Sequence, residues 1–237
     1  MIEVKNLSKS YGDKKAVRNI SFCMEKGEIL GLLGPNGAGK STTMNMITGY
    51  ISISEGEVKV NGVDVLENPL EAKKMIGYLP EQPPLYEEMT VSEYLGFVYD
   101  LKKVKMNIPK KEHIADVMNT VAISDVKGRK IKNLSKGYKQ RVGFAQALIG
   151  KPDVLILDEP TVGLDPNQIV EIRDVIRSLK KDHTIIFSTH ILSEVSELCD
   201  RVIVINEGRI ATEKTKDEIS AANLEDLFQS LVKVEGV

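Results

Sequence analysis

The chain has 237 residues, of which 42% are apolar and 28% charged, and its net charge is −2. That balance suits a globular α/β protein with a substantial core, and it argues against broad binding to a nucleic-acid backbone, which rewards a strongly basic surface. No apolar run reaches the 18 residues of a membrane-spanning helix, and Met1-Ile2-Glu3-Val4-Lys5 has no charged-then-apolar leader. Cys23 and Cys199 each sit in an apolar pattern and are expected as small buried core residues in a reducing compartment.

In chain order, Ile2-Glu3-Val4-Lys5-Asn6-Leu7 alternates as a half-buried strand does, and Val17, Ile20, Phe22 and Met24 suggest a second strand. Ile29-Leu30-Gly31-Leu32-Leu33 reads as a buried strand, with a helix opening near Thr42. Val58 to Val65 carries Asn61-Gly62 between alternating segments, the pattern of a tight hairpin. From Met89 to about Gly150 the patterns turn helical. Thr90 and Glu93 form a capping box, Pro109 opens a further helix, and Ser135 caps another. Val154-Leu155-Ile156-Leu157 and Thr184-Ile185-Ile186-Phe187 then read as buried parallel strands, joined by a helix with Ile169, Ile172, Ile176 and Leu179 on one face. Arg201–Ile205 and Arg209–Ala211 suggest a last hairpin around Glu207-Gly208, and Leu224, Leu227, Phe228 and Leu231 mark a helical tail.

Three segments carry chemistry. Gly34-Pro35-Asn36-Gly37-Ala38-Gly39-Lys40-Ser41 fits G-x-x-x-x-G-K-[ST] between a strand and a helix. In that pattern glycines let backbone N–H groups converge on phosphates, the lysine reaches the β- and γ-phosphates, and the serine hydroxyl holds Mg²⁺. The strand Val154–Leu157 ends in Asp158 and Glu159, placed to hold Mg²⁺ opposite Ser41 and to polarise a water. By spacing alone the two acids are equally solvated charges at a strand end. His190 follows Ser188-Thr189 at the end of the next strand, where ligands of α/β sheets gather; His113 and His183 have no such setting. Leu134-Ser135-Lys136-Gly137-Tyr138-Lys139-Gln140-Arg141 is a serine-capped helix start, and by spacing alone it is only that.

Taken in order, the loop Gly34–Ser41, the segment Leu134–Arg141, the acids after Leu157, Gly163-Leu164-Asp165-Pro166 and His190 resemble the ATP-binding subunits of ABC transporters, closest to those serving ABC-2-type systems, often exporters and including gliding-motility types. The resemblance implies a P-loop ATPase fold with a mostly parallel core sheet, an antiparallel β layer and an inserted helical subdomain. One domain would span 1–214, with the core at 1–85 and 150–214, the helical part at about 86–149, and a short tail at 215–237. It implies ATP and Mg²⁺, with Gly34 to Thr42 on the phosphates and Tyr11 stacked on adenine. Ser135, Lys136 and Gly137 would meet the γ-phosphate held by a second copy. Glu159, His190 and Lys40 would be catalytic, and Asp165 would support the opposite site.

Two positions depart from the family. Lys136 and Tyr138 replace a glycine and the glutamine of Leu-Ser-Gly-Gly-Gln. Glu81 stands directly after Pro80 where the family commonly has glutamine, so that Glu81 or Gln82 would touch the metal. The resemblance further implies a homodimer, transmembrane permease partners contacted by the loop Pro83 to Tyr86, and a place at the inner face of the cell membrane. The alternative is a soluble ABC ATPase acting on ribosomes or DNA, but one nucleotide cassette without heptads or a basic tail speaks against it.

Overall fold

In the computed structural model the chain is described over residues 1–219. Its centre is a six-stranded sheet of β3 (Ile29–Leu33), β6 (Ile76–Leu79), β7 (Val154–Leu157), β8 (Thr184–Thr189), β9 (Arg201–Asn206) and β10 (Arg209–Thr215), in the order β10-β9-β3-β8-β7-β6. Every pairing is parallel except β10 on β9, a hairpin turning at Glu207-Gly208. Both faces are covered, which is why β3, β7 and β8 are apolar without alternation. Successive side chains still point to opposite faces. Leu30, Leu32, Val154, Ile156 and Ile186 belong to one apolar cluster, whereas Ile29, Leu33, Leu155, Leu157, Ile185 and Phe187 belong to the other. Each such side chain contributes about 1.5–3 kcal/mol on leaving water.

The first cluster is closed by a second sheet, β2-β1-β4-β5, formed by β1 (Ile2–Tyr11), β2 (Lys14–Met24), β4 (Glu55–Val60) and β5 (Val63–Asp64), all antiparallel. Ile2, Val4, Val58 and Val60 face inward, together with Met44 and Ile47 of α1 (Lys40–Ile47). The β4–β5 turn is made by Asn61 at φ 49° and Gly62 at φ 81°, the two left-handed residues that an Asn-Gly hairpin requires. Cys23 corrects the sequence reading: it is exposed, because it lies between the buried Phe22 and Met24 on a period-two strand, whereas Cys199 is buried.

The second cluster is closed by helices α3 (Val91–Leu101), α4 (Lys110–Thr120) and α5 (Lys136–Leu148), with α6 (Pro166–Leu179) and α7 (Leu192–Leu198) packed on the same face. Thr90 and Glu93 form both arms of the capping box: the Thr90 N–H donates to Glu93 at 2.8 Å, and the Glu93 N–H donates to the Thr90 hydroxyl at 3.3 Å. Pro109 occupies the N-cap of α4, one residue before its first helical position. Three elements escape the sequence reading: α2 (Pro69–Met75), α7 and β6. The two helices have seven residues each, too few turns to show a period, and in the strand Gly77 and Tyr78 break the continuous apolar run. Thr215 ends β10 and a 3-10 turn follows at Lys216–Glu218; the helical face expected at Leu224, Leu227, Phe228 and Leu231 lies outside the described residues.

Candidate functional site

Parallel strands bring their carboxyl ends to one edge of a sheet, where ligands of α/β folds bind. Here β3 delivers the glycine loop, β6 delivers Glu81, β7 delivers Asp158 and Glu159, and β8 delivers His190. The loop turns through Gly37 at φ 80° and Gly39 at φ 111°, conformations that L side chains avoid. At Gly34 a Cβ would stand 2.2 Å from the Ile205 carbonyl, so the loop lies directly against β9. Gly39 caps α1 without any side-chain hydrogen bond, and the first turn holds no acid. The leading N–H groups of α1 and the positive end of its dipole are thus available to an anion.

Lys40 is buried. Its Nζ donates to the Gly34 carbonyl at 2.7 Å and to that of Pro35 at 3.2 Å, and stands 3.5 Å from Glu159 Oε1. The cation is therefore fixed at the centre of the loop. Ser41 Oγ donates to Asp158 Oδ1 at 3.1 Å, joining the hydroxyl and carboxylate across the site. These are hard oxygen donors, and Glu81 adds a third on the cavity lining, a set that suits Mg²⁺. Gln82 is exposed and does not line the cavity.

Glu159 has φ 47°, left-handed for a residue with a Cβ, a strain that persists only when neighbours enforce it. Its N–H donates to Ser188 Oγ at 2.9 Å, and its Oε2 pairs with His190 Nδ1 at 2.8 Å. Burial pushes up the pKa of the nearby Tyr78 phenol, with Asp158 adding to the effect; its hydroxyl donates to Asn45 at 2.9 Å.

One cavity holds the opposed groups: Asn36, Gly37, Gly39, Lys40, Ser41 and Thr42 on one side, Glu81, Glu159 and His190 on the other. Tyr11 lies at its rim, 51% exposed, with the Lys9 ammonium 5.1 Å from its ring centroid. Lys14, Ala16 and Val162 also line it, and sequence reasoning missed them. Their types are unremarkable at those positions; Lys14 and Ala16 come from β2 and Val162 from the turn after Glu159, and only tertiary packing brings them to the cavity. Ser188 was passed over as well, although it stands two residues before His190.

Ser135, Lys136 and Gly137 are not part of that cavity. Ser135 caps α5, accepting the Tyr138 N–H at 3.4 Å. Lys136 lies on Gly163, where a Cβ would stand 1.9 Å from its ammonium, and Gly137 lies under Gln168, whose side-chain oxygen a Cβ would meet at 2.6 Å. Asp165 caps α6, accepting the N–H groups of Asn167 and Gln168 at 3.0 Å each. The helix start of α5 is thus seated on the turn leading to Asp165, outside the cavity that its own phosphate loop lines.

A phosphate loop, a serine–aspartate pair and a strained glutamate beside a histidine, set at the carboxyl edge of a parallel sheet, define a nucleotide triphosphatase. The family model described as ABC transporter matches residues 17–162. The chain is 39% identical over 236 residues to a lantibiotic transport ATP-binding protein of Streptococcus pyogenes, covering 99% of each. The solved ATP-binding subunit of an ABC transporter is 30% identical with TM-score 0.85, covering 98% of this chain and 99% of that one. A dimeric bacterial ABC transporter cassette is 25% identical with TM-score 0.83, covering 91% and 99%. The chain belongs to the ABC transporter ATP-binding family. It is an ATP-binding, ATP-hydrolysing subunit that drives transport; cassettes of this family dimerise and work with transmembrane components. Among the described residues, no helix is long and apolar enough to cross a membrane.

Proposed function

We propose that this chain pairs with a second copy of itself so that each ATP lies between the phosphate loop of one subunit and the α5 start of the other. The observation that carries this reading is the separation of Ser135, Lys136 and Gly137 from the cavity that holds Lys40, Ser41, Glu159 and His190. Within one subunit the N–H groups of Gly37 to Thr42 and the Lys40 ammonium bind the phosphates, and Tyr11 stacks on the base. Ser41 and Asp158, with Glu81 in preference to Gln82, hold Mg²⁺, which neutralises phosphate charge. Glu159 orients and polarises the attacking water. His190, hydrogen-bonded to Glu159, holds that carboxylate in place and donates toward the γ-phosphate. Lys136 adds positive charge at the γ-phosphate of the opposite site. Positioning and electrostatics carry such phosphoryl transfer, with little covalent work by the protein.

The partner is a transmembrane permease of the ABC-2 type, and the subunit works as a peripheral protein on the cytoplasmic face. Export is supported by the resemblance to subunits of ABC-2-type systems, which are often exporters. Tyr86, 56% exposed and edge-on to Tyr94 and Phe97, offers an aromatic surface at the loop Pro83 to Tyr86 for that partner. Helices α3 to α5, within residues 86–149, move as a unit against the core in this reading. The experiment is sedimentation of the full chain with ATP, together with its Glu159→Gln variant. A stable dimer of the variant and slow hydrolysis support the proposal. A variant that stays monomeric at saturating ATP overturns the homodimer.

A further inference from the structure

Behind the catalytic edge lies a buried carboxylate that the site described above does not use. Glu194, on α7, is 1% exposed and does not line the nucleotide cavity. Its Oε1 accepts the Thr161 hydroxyl at 2.6 Å and its Oε2 accepts the Thr189 hydroxyl at 2.6 Å. These are the lengths of hydrogen bonds to an ionised carboxylate. Thr161 and Thr189 are both buried.

The two threonines bracket the reacting groups. Thr161 stands two residues after Glu159, in a turn closed by Val162 N–H on the Glu159 carbonyl at 3.1 Å. Thr189 stands directly before His190, and its hydroxyl oxygen also accepts the Ile191 N–H at 3.0 Å, so it closes the turn that presents His190. A third segment joins from α6, the helix capped by Asp165. Arg173 of α6 stands 3.9 Å from Glu194 and pairs with Glu197 at 2.9 Å. Its buried Nε has no partner among the described residues, and its Nη2 donates to the Ser193 hydroxyl at 3.3 Å, so the guanidinium is held there by those acids and that hydroxyl.

We infer that Glu194 is a positioning residue for ATP hydrolysis. It ties the segment after Glu159, the segment before His190 and the helix after Asp165 to one charge, and so fixes the Glu159–His190 pair. A carboxylate fits this task better than an amide. Glutamine would accept from one threonine only and would leave the other hydroxyl proton without an acceptor in a buried place. A misplacement of about 1 Å at reacting groups costs on the order of a hundredfold in rate, so small shifts of either turn are read directly in turnover.

The inference rests on ATP hydrolysis by this site. The full chain is assayed for steady-state hydrolysis and for binding of a fluorescent ATP analogue, as wild type and as Glu194→Ala, Glu194→Gln, Thr161→Val, Thr161→Ser and Thr189→Val, with thermal melts of each. The expected result is a kcat loss of about tenfold or more in Glu194→Ala and the valine variants, intermediate in Glu194→Gln, with KM and analogue affinity unchanged, because the phosphate loop is untouched. Thr161→Ser, which keeps the hydroxyl, retains wild-type turnover. Should Glu194→Ala not fold, the single valine variants decide. Valine variants that melt normally and turn over as wild type, or variants in which kcat and affinity fall together, overturn the inference. A wild-type chain that hydrolyses no ATP instead strikes the reading of the site itself.

Discussion

The Ser188 hydroxyl donates to Asp158 Oδ1 at 2.6 Å while its oxygen accepts the Glu159 N–H at 2.9 Å. One fully buried hydroxyl on β8 thus holds both acids that end β7, and it holds Glu159 in its left-handed conformation. Ser188→Ala leaves the Glu159 N–H buried without an acceptor, at a cost of about 1–3 kcal/mol. We expect a lower melting temperature and a lower kcat with ATP affinity retained, measured by calorimetry and a coupled ATPase assay. Wild-type melting would show that the hydroxyl carries no strain.

Glu159→Gln keeps the shape of the side chain but removes the charge that, in the proposed mechanism, polarises water. Hydrolysis is expected to fall by about a hundredfold or more while ATP still binds. Single-turnover measurement with radiolabelled ATP checks this, and a rate within twofold of wild type would reassign the base.

Lys136 covers Gly163, which has φ 68°. Gly163→Ala both strains the backbone and displaces the lysine, and is expected to cost about 1 kcal/mol. Lys136→Met removes the charge alone and should weaken ATP-driven dimerisation, most at low salt, where exposed charges are least screened. Gel filtration of each variant in the Glu159→Gln background gives the readout, and unchanged dimerisation at low salt argues against a phosphate role for Lys136.

The helical region carries two bases that burial disfavours in charged form. His113 accepts the Gly150 N–H at Nε2 at 3.0 Å; burial first, and then the Lys151 charge, holds its pKa below the ordinary value, with Lys102 adding and Asp116 opposing. Its Nδ1 is buried and has no partner among the described residues. The folded state takes up a proton there less readily than the unfolded chain, so stability is full above the unfolded value of about 6.5 and falls as the pH drops below it. Lys102 donates to the carbonyls of Gln146 and Ile149 at the end of α5, and burial lowers its pKa to about 8. Between about 8 and the unfolded value near 10.4 the unfolded chain binds more protons, so this residue's contribution rises with pH. Urea titrations from pH 5 to 10 test both, with His113→Gln flattening the acid limb and Lys102→Met the alkaline one.

Much of the site was legible because its residues are contiguous. The glycine loop, the acids after Leu157, the Thr90 capping box and the Asn61-Gly62 turn each obey a rule that operates over a few residues. Cys23 was misread as buried, although the period of two that buries Phe22 and Met24 turns it outward. The short elements α2, α7 and β6 were not legible, because one or two turns hold no period and because Gly77 and Tyr78 break in β6 the continuous apolar run that marks the equally short β7. Lys14 and Val162 gave no signal, since nothing in the type of a lysine or a valine announces that it lines a cavity.

By itself, then, the order of residues determined the phosphate-binding loop, the buried character of the central strands and the family, since each rests on local geometry or on an ordered set of motifs. Tertiary structure alone decided that Ser188 clamps Asp158 and Glu159, that Glu194 gathers Thr161 and Thr189, and that the α5 start lies outside the cavity of its own phosphate loop. Those relations follow from the parallel register of β7 against β8 and from helices packed across the sheet. The register and the packing depend on the summed burial of many side chains, and no short segment of the chain encodes them.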